Sequence, residues 1–446
     1  MPKAPKIIIP PPGPKAREII EESKKYLATT TRDFPLVIVK MENDLIVDVD
    51  GNVYIDFAAG IAVANTGHRN REVIEAVKEQ LERFVHSAPH DFYDDVQYKV
   101  AKRLTEITPG VFNKKVFFAN SGTESVEAAI KIAKRATRRP RFIAFIGAFH
   151  GRTIGSLSLT ASKPVHQRGY FSAMPGVEHV PYAYCYRCPF KLDPKTCDFW
   201  CARYIEEVLF ESYVPSDEVA AIVVEPIQGE GGYIVPPEGF LKELRKIADK
   251  YGILLIADEI QSGFGRTGKM WGVEHFNIVP DIMTTAKAIA DGFPLGATIF
   301  KADLDFPESG AHSSTFGGNA ISLTAALANI EYIVKHNLPQ RAAKLGENAI
   351  KRLKEAQEEI EIIGDVRGKG LMIGIELVKD KTTKEFFKEA RDKVIRLALE
   401  KGLVLLPTGK SAIRVAPPLT IEEEHLEVGL DILIGAIKEV NRAVKK

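Results

Sequence analysis

The sequence has almost no net charge and no long uncharged apolar run. Its 60 Lys and Arg residues nearly balance 59 Asp and Glu residues, and the formal net charge is +1 at pH 7. Such a balance lacks the basic patch that attracts nucleic acids and acidic membranes. The apolar patch at residues 7–12 is too short and too rich in proline for a signal peptide. We therefore expect a cytoplasmic protein without nucleic-acid or membrane partners.

Cysteine is scarce, and all of it falls in one segment. Two, eight and three residues separate Cys185, Cys188, Cys197 and Cys201. Clustering of this kind is found in small metal sites and in disulfide pairs, and it also fits four small residues in a surface insertion. Abundant Lys, Glu and Arg beside little Cys and Met is typical of heat-adapted proteins, in which intracellular disulfides form. The segment is a candidate structural cluster, and no catalytic metal site is predicted.

The length of the chain and the changes in its residue pattern predict more than one domain. A chain of 446 residues is too long for one simple core. Residues 1–70 are interpreted as an N-terminal arm with a segment of a smaller domain. From about Arg71 helical patterns alternate with apolar strands, which is typical of βαβ units and a mostly parallel sheet. Residues 71–330 are therefore predicted to form a large α/β domain, and residues 331–446 a smaller α+β domain.

Short apolar runs between the helical patterns predict the strands of the large sheet. Runs of this length, bounded by turn residues or charges, are consistent with buried strands. A helix is expected after the first of them, at 126–136. The candidate strands are 115–119, 142–146, 219–224, 252–257, 282–285 and 297–300.

Two of these strands end in groups that suit a particular cofactor. The run at 252–257 delivers Asp258, and the run at 282–285 is followed by Lys287. Open α/β sheets bind ligands at the carboxyl ends of their strands. A carboxylate and a lysine there suit a cofactor that is both a cationic heterocycle and an aldehyde, because the ring nitrogen needs an acidic partner and the aldehyde needs an amine. Pyridoxal phosphate is such a cofactor.

A glycine-rich stretch nearby imitates nucleotide-binding motifs. Residues 263–268 satisfy G-x-G-x-x-G, and residues 263–269 nearly satisfy the phosphate-loop pattern. The phosphate loop fails because Met270 stands where Ser or Thr would bind magnesium. The dinucleotide motif fails because residues 258–262 separate the glycines from the strand and no clear helix follows. Neither nucleotide interpretation is retained.

Small residues before two helices are candidate phosphate-binding positions. Residues 121–125, S-G-T-E-S, precede the helical run at 126–136, where backbone N–H groups and the helix dipole favour a phosphate. Ser121 and Glu124 fit an N-terminal capping box equally well. Residues 315–319, T-F-G-G-N, open a later helix and are a second candidate.

Other chemically capable side chains lie at strand ends. Phe149, followed by His150, ends the second strand of the large sheet, where an aromatic ring suits either stacking on a planar cofactor or core packing. Glu225 and Glu230 lie in a glycine-rich loop after the strand at 219–224, and a merely polar loop is the alternative. Arg414 interrupts an apolar strand and needs a carboxylate partner if its head is buried.

Taken together, the motifs resemble those of one enzyme family. The ordered set SGTES, FHGRT, EPIQGEGG, DEIQSGFGRTG, TTAKAIADGFPLGA, STFGGN and RVAPPLT is similar to that of the class III aminotransferases, which include 4-aminobutyrate, ornithine and acetylornithine aminotransferases. The resemblance extends from about Pro35 to the C-terminal helix. It implies a pyridoxal-phosphate enzyme of fold type I, assembled as a homodimer or a larger oligomer.

The resemblance implies roles for the residues around the cofactor ring. Lys287 is the Schiff-base lysine and the proton shuttle, and Asp258 keeps the pyridine nitrogen protonated. Gln261 hydrogen-bonds the ring oxygen. Phe149 and Ile260 cover the two faces of the ring.

The resemblance also implies how the phosphate is held. Gly122 and Thr123 bind it through backbone and hydroxyl, and Thr315 reaches the phosphate of the neighbouring subunit. The predicted cofactor contacts are completed by Ser121, His150 and Glu225.

Substrate binding follows from the same resemblance. Arg414 binds the substrate α-carboxylate, and Glu230 pairs with Arg414 when no carboxylate is present. With Lys287 and Asp258, Glu230 forms the predicted catalytic set. The implied reaction moves an amino group from an amino acid such as ornithine, lysine or 4-aminobutyrate to a 2-oxo acid such as 2-oxoglutarate, by a ping-pong mechanism.

Some relatives on this scaffold are amino-acid racemases or epimerases. They tend to carry Asp at the position of Glu230, as a second base opposite the lysine. Glu230 favours amino transfer, but either carboxylate can take a proton, so a racemase is the alternative. Asp291 is a further departure, because the family usually has glycine there.

One acidic residue is a candidate for substrate specificity. Asp91, in the segment HSAPHDFYDD, borders the distal pocket by resemblance. Its carboxylate suits a substrate ω-ammonium group, which would favour ornithine or lysine. It fits the N-cap of the next helix equally well.

Overall fold

The computed structural model describes residues 4–32, 34–170 and 174–444, so residues 1–3 of the predicted arm and 445–446 of the predicted C-terminal domain lie outside the described residues. Within these ranges the strands are β1 (Ile38–Glu42), β2 (Leu45–Asp48), β3 (Val53–Asp56), β4 (Lys114–Ala119), β5 (Arg141–Phe145), β6 (Val177–Val180), β7 (Val219–Val224), β8 (Leu254–Asp258), β9 (Ile282–Thr285), β10 (Gly296–Lys301), β11 (Ile363–Lys369), β12 (Met372–Leu377), β13 (Leu403–Val404), β14 (Leu406–Thr408) and β15 (Ala412–Val415).

Helices cover the sheets and connect their strands. The segment labelled α2 is a single turn with positive φ at each of its residues. None of the helices in the described ranges is long and apolar enough to span a bilayer. The helices are α1 (Pro14–Ser23), α2 (Ala59–Ala62), α3 (Arg71–Leu81), α4 (Asp95–Ile107), α5 (Gly122–Thr137), α6 (Ile154–Leu159), α7 (Pro164–Gln167), α8 (Trp200–Tyr204), α9 (Phe240–Tyr251), α10 (Ala320–Lys335), α11 (Leu338–Glu359), α12 (Lys388–Glu400) and α13 (Glu423–Val444).

A seven-stranded sheet forms the centre of the fold. Its strand order is β4-β10-β9-β8-β7-β5-β6. Only β10 runs antiparallel to its neighbours, and the other pairs are parallel. Every residue of β7 and β9 is buried, as expected for parallel strands covered on both faces. The predicted α/β class with a mostly parallel sheet is confirmed.

The edge strand β6 was absent from the sequence prediction. Its four residues, V-E-H-V, include two polar side chains, and only Val180 is buried. A run this short and this polar gives no apolar signal, because an edge strand needs to bury little. The segment forms a strand because it pairs with β5, although its local sequence does not predict one.

Helix α5 shows how a loop is fixed at the working edge of the sheet. It begins at Gly122, four residues before the predicted start, because Ser121 caps it directly after β4. It packs beneath the sheet through small and β-branched residues, and it contacts β9 and β10. It ends where Arg138 adopts a left-handed conformation with φ 59°. Its N-terminus therefore opens at the carboxyl edge of the sheet.

Two smaller sheets contain the remaining strands. One has the order β1-β2-β3-β13 and the other the order β11-β12-β15-β14. The first joins distant parts of the chain, since Leu403 and Val404 of β13 pair in parallel with Ile55 and Asp56 of β3. This pairing agrees with a small domain assembled from both ends of the chain. The predicted boundaries near residues 70 and 330 stay a prediction.

Candidate active site

One cavity lies at the carboxyl edge of the seven-stranded sheet. It has a volume of about 460 Å³, and the segments that follow β4, β5, β7, β8 and β9 line it. The parallel strands end at this same edge, so the cavity brings together segments that are distant in sequence. The predicted site residues that line it are Ser121, Gly122, Thr123, Phe149, His150, Glu225, Glu230, Asp258, Ile260, Gln261 and Lys287.

Asp258 is paired with a buried imidazole. It is the last residue of β8, and its Oδ2 lies 2.6 Å from Nδ1 of His150. Its Oδ1 accepts a hydrogen bond from the backbone N–H of Ile260 at 3.0 Å. Burial alone would lower the pKa of His150, but the hydrogen bond and the charge of Asp258 raise it. The pair therefore holds the Asp258 carboxyl group in a fixed position beside the His150 ring, where both line the cavity.

Lys287 faces the same cavity from the turn after β9. Its backbone is left-handed with φ 47°, a conformation that costs a non-glycine residue about 1–3 kcal/mol and is common at active sites. Desolvation lowers the pKa of Lys287, and the nearby Arg414 lowers it further, against the opposing charges of Asp258 and Glu225. A lysine with a lowered pKa holds more neutral amine, which is the form that acts as nucleophile or base.

The N-terminus of α5 forms one wall of the cavity. The Ser121 hydroxyl accepts from the backbone N–H of Glu124 at 3.4 Å, and the Glu124 carboxylate accepts from the N–H of Asn120 at 3.0 Å. Ser121 is therefore the N-cap of α5, but the predicted capping box is not complete, because among the described bonds Glu124 accepts from the N–H of Asn120 and not from that of Ser121. A Cβ at Gly122 would lie 2.9 Å from Cδ1 of Ile260. Any larger residue at this position would therefore require the Ile260 side chain to shift.

The Thr123 side chain belongs to a hydroxyl cluster. Its Oγ1 lies 2.7 Å from Oγ1 of Thr153 and 2.6 Å from Oγ of Ser156. Glu127 accepts hydrogen bonds from the Thr153 hydroxyl and from the Ser156 backbone. The cluster fixes the start of α5 against the start of α6, where both meet the cavity.

Glu225 ties two of the cavity loops together. Its Oε1 accepts from the backbone N–H of Phe149 at 2.9 Å, and its Oε2 accepts from the N–H of Gly229 at 2.8 Å. Burial raises the pKa of Glu225 to about 7. The side chain lines the cavity and also holds Phe149 and the loop after β7 in fixed positions.

The residues around the cavity fit pyridoxal phosphate. Phe149 and Ile260 both border the space that a planar ring would occupy. Among the described residues, Oε1 of Gln261 and Nε2 of His150 are buried without a hydrogen-bond partner, which is costly unless a ligand satisfies them. An amine, a paired carboxylate and an open helix N-terminus complete the donor set that this cofactor requires.

Glu230 lines the cavity, and it pairs with Arg414, which is not among the lining residues. Nη2 of Arg414 lies 3.0 Å from Oε2 of Glu230. Arg414 is buried on β15, and it has the carboxylate partner that we expected for a buried arginine in an apolar strand. The charges of Arg414 and Lys163 lower the pKa of Glu230 even though burial opposes them. The low pKa favours the ionised carboxylate.

Sequence reasoning missed two cationic residues of this site. Lys163 contacts Glu230 with an Nζ–Oε1 distance of 2.5 Å, and Arg152 lines the cavity with its Cζ 5.5 Å from the ring of Phe149. Arg152 could have been found from its place in the motif FHGRT. Lys163 lies ten residues beyond that motif, and nothing in its local sequence distinguishes it.

Two predicted site residues lie away from the cavity of the single chain. Thr315 is exposed in the segment before α10. Asp91 is exposed as well, in a turn where its backbone N–H bonds to the carbonyl of Ala88. The prediction that Asp91 caps a helix is wrong. Asp94 caps α4 instead and accepts from the N–H of Gln97 at 2.7 Å, because the turn at Ala88 delays the helix start.

The cysteine segment is a packed insertion. All four thiols are free, and they line one small cavity with Phe190 and Trp200. The described residues contain no group of three His, Cys, Asp or Glu side chains placed to hold a metal ion. Tyr184 and Arg187 bond to the buried Glu376 of β12, which Arg367 also contacts at 2.9 Å. The insertion therefore packs against the sheet β11-β12-β15-β14.

Comparison with known proteins places this geometry in a family. Residues 26–437 match the profile "Aminotransferase class-III". The chain is 43% identical to an alanine/serine racemase of Pyrococcus horikoshii, over 98% of this chain and 93% of that protein. It is 41% identical to an acetylornithine aminotransferase of Methanopyrus kandleri, over 95% and 99% of the two chains.

A solved structure agrees with the sequence relatives. An amine transaminase from an uncultivated Pseudomonas species, in its pyridoxal-phosphate-bound form, superposes with a TM-score of 0.85 at 30% identity, over 93% of this chain and 97% of that chain. Both the sequence profile and the fold cover nearly the whole molecule. The chain therefore belongs to the class III aminotransferases, which are pyridoxal-phosphate-dependent enzymes of fold type I.

Proposed function

We propose that the enzyme moves an amino group from an amino acid to a 2-oxo acid by a ping-pong mechanism. Ornithine, lysine or 4-aminobutyrate is the proposed donor, and 2-oxoglutarate the proposed acceptor. The Glu230–Arg414 ion pair beside the cavity of Lys287 carries the proposal. A ping-pong enzyme takes two different substrates at one site. A buried guanidinium with an exchangeable carboxylate partner accepts an α-carboxylate in one half-reaction and stays neutralised in the other.

The chemistry divides between the cofactor and the protein. Bound pyridoxal phosphate supplies an electron sink for the bond broken at the substrate Cα. Asp258, supported by His150, sets a negative charge at the ring-nitrogen end. Lys287, whose pKa is lowered, would take the Cα proton at its Nζ and deliver it to the C4′ carbon of the cofactor. Arg414 orients the substrate through its carboxylate.

The phosphate end and the ring faces complete the binding site. Gly122 and Thr123 at the start of α5 would hold the phosphate, and Gln261 would bond the ring oxygen. Phe149 and Ile260 would cover the ring and exclude water from it. The support for this assignment is that all five residues line the same cavity as Lys287.

The experiment is an absorbance titration of the holoenzyme with single amino acids in the absence of any oxo acid. The proposal expects one donor to bleach the pyridoxal-form band stoichiometrically and 2-oxoglutarate to restore it. The Lys287→Ala variant should lose both the native band and turnover. Retained turnover in that variant would overturn the assignment of Lys287.

An amino-acid racemase is the second candidate. The 43% identity to an alanine/serine racemase favours it, and Glu230 supplies a second carboxylate at the cavity. A racemase would convert an L-amino acid to its D-form while the band persists. Glu230→Gln separates the two: a racemase with Glu230 as second base loses all turnover, whereas an aminotransferase loses chiefly its ω-amine half-reaction.

The proposal includes a homodimer or a larger assembly in the cytoplasm. Its support is the position of Thr315, which is exposed in the single chain although the segment STFGGN belongs to the motif set of the family. A second copy of the chain would bring Thr315 to the phosphate end of its neighbour's cavity. Sedimentation equilibrium of the holoenzyme tests this directly, and a monomer at micromolar concentration would contradict it.

A further inference from the structure

Glu230 has two cationic partners. Its Oε2 lies 3.0 Å from Nη2 of Arg414, and its Oε1 lies 2.5 Å from Nζ of Lys163. The two oxygens of one carboxylate therefore bridge two cations. Because the three groups carry a net charge of about +1 when all are ionised, the cluster can still accept an anion.

The contact with Glu230 uses only part of the hydrogen-bonding capacity of the Arg414 guanidinium. Its Nε and Nη2 both donate to the carbonyl of Pro407, at 3.0 and 2.8 Å. Nη2 is thus shared between Pro407 and Glu230, and the contact with Glu230 uses a single nitrogen rather than a two-pronged fork. Among the described residues, Nη1 of Arg414 is buried without a hydrogen-bond partner. Such a donor is costly to leave unsatisfied and suits an incoming carboxylate.

Lys163 is held in place by the local structure. It directly precedes α7, whose first residue is Pro164. The hydroxyl of Ser162 lies 2.9 Å from Nδ1 of His166, and the His166 ring packs edge-on against Phe149 at 5.5 Å. The side chain of Lys163 is about one-third exposed. Lys163 therefore approaches Glu230 from the side of Phe149, whereas Arg414 approaches from β15.

We infer that Lys163 is a positioning residue that retains Glu230 when a substrate carboxylate binds Arg414. This inference rests on the proposed function, since it explains how one site alternates between substrates with and without an α-carboxylate. Glu230 needs no passage into water to release Arg414, because one of its oxygens is already bound to Lys163. The ionised carboxylate keeps a partner in both states, which avoids the cost of an unpaired buried charge.

Removal of Lys163 therefore has opposite consequences for the two substrate types. In Lys163→Met, Arg414 is the one cation left in contact with Glu230 among the described residues. Glu230 then competes directly with a substrate carboxylate for Arg414. The KM for L-glutamate and 2-oxoglutarate should rise about tenfold with little change in kcat, while the KM for an ω-amine should stay unchanged or fall. A merely structural role would impair both alike.

Calorimetric titration of the holoenzyme with glutarate, an unreactive dicarboxylate, is the test. Lys163→Met should bind glutarate about tenfold more weakly than wild type, and Lys163→Arg should stay within about threefold. Lys410→Met is the matched control, because Lys410 lines a neighbouring cavity together with Lys163 and has no contact with Glu230 among the described bonds. It should change glutarate binding less than twofold.

Either of two results would overturn the inference. Unchanged glutarate affinity in Lys163→Met would show that Lys163 does not control access to Arg414. Equal losses of glutarate affinity in Lys163→Met and Lys410→Met would show that the general positive charge near the two cavities causes the effect, and not the contact between Lys163 and Glu230. Failure of the proposed function is seen separately, because wild-type enzyme would then show no amino transfer with any donor while still binding glutarate.

Discussion

Nδ1 of His150 lies 2.6 Å from Oδ2 of Asp258, and both side chains are almost completely buried. His150 lies in the loop after β5, and Asp258 is the last residue of β8. Each makes the other's charge tolerable, since the imidazolium and the carboxylate would both be expensive alone. The acidic group proposed to meet the ring nitrogen is therefore one member of a pair, and the properties of Asp258 depend on His150.

Removal of the Asp258 charge should lower both the stability of the fold and the turnover of the enzyme, for two different reasons. Asp258→Asn leaves the buried His150 without a counter-charge, so the free energy of unfolding of the cofactor-free protein should fall by about 3 kcal/mol. Turnover should fall by about 10²–10³-fold. The double variant Asp258→Asn with His150→Gln removes both charges. It should recover part of the stability, measured by denaturant unfolding, but none of the turnover, and recovery of both would contradict the pairing.

The close contact at the start of α5 predicts a rescue experiment. Gly122→Ala places a Cβ 2.9 Å from Cδ1 of Ile260, and the strain should weaken cofactor binding about tenfold. Ile260→Val removes the Cδ1 atom and should restore part of the affinity in the double variant. Cofactor titration by absorbance gives the dissociation constants. Additive losses would show that the contact with Ile260 is not the cause.

A site shared between subunits predicts complementation. Lys287→Ala should be inactive, and Thr315→Ala should bind the cofactor about tenfold more weakly if its hydroxyl serves the neighbouring site. In a mixed dimer, the Thr315→Ala subunit keeps its Lys287 and receives Thr315 from its partner. Mixing the variants and re-associating them should therefore raise activity above the weighted mean of the two. Activity equal to that mean would show that Thr315 acts at the site of its own subunit.

The raised pKa of Asp291 predicts that replacing this residue stabilises the protein at high pH but not at low pH. Its backbone φ is 47°, and its Oδ1 accepts from the N–H of Thr66 at 3.2 Å. Burial raises the pKa of Asp291 from 3.8 to about 6. A carboxyl whose folded-state pKa is raised supports stability below pH 3.8, and this support is lost as pH rises through about 6.

The variant that tests this is Asp291→Asn. Asparagine tolerates the left-handed backbone and keeps an acceptor oxygen for Thr66, but it does not titrate. It should match wild type near pH 4 and exceed it by about 2 kcal/mol at pH 8, with allowance for partial exposure of the side chain. Denaturant unfolding across this range is the measurement. A difference that is constant with pH would exclude Asp291 as the titrating group.

Sequence reasoning succeeded where local pattern and strand order decide the outcome. The strands at 219–224 and 282–285 have the predicted bounds, and the first is a continuous apolar run of the kind found in buried parallel strands. The common direction of β8 and β9 brings Asp258 and Lys287 to one edge. The fold class and the cofactor followed from those features and from the motif order, and the comparisons confirm both.

Reasoning from the sequence failed where side-chain direction decides the outcome. Nothing in the motif FHGRT says that His150 points towards Asp258 rather than towards solvent. Lys163 reaches Glu230 from an extended position directly before α7, and such a position leaves no periodic trace in the sequence. Asp91 and Asp94 are equivalent by composition, and only the turn at Ala88 selects Asp94 as the cap.

The parallel pairing of β13 with β3 has a consequence for synthesis of the chain. The hairpin of β2 and β3 emerges from the ribosome early, but Leu403 and Val404 follow only after nearly all of the chain. The edge of β3 at Ile55 and Asp56 therefore stays open for most of translation, and contacts of such long sequence separation form slowly. The nascent protein completes this sheet only after residues 403–404 are made, and it exposes part of a buried strand edge to aggregation until then.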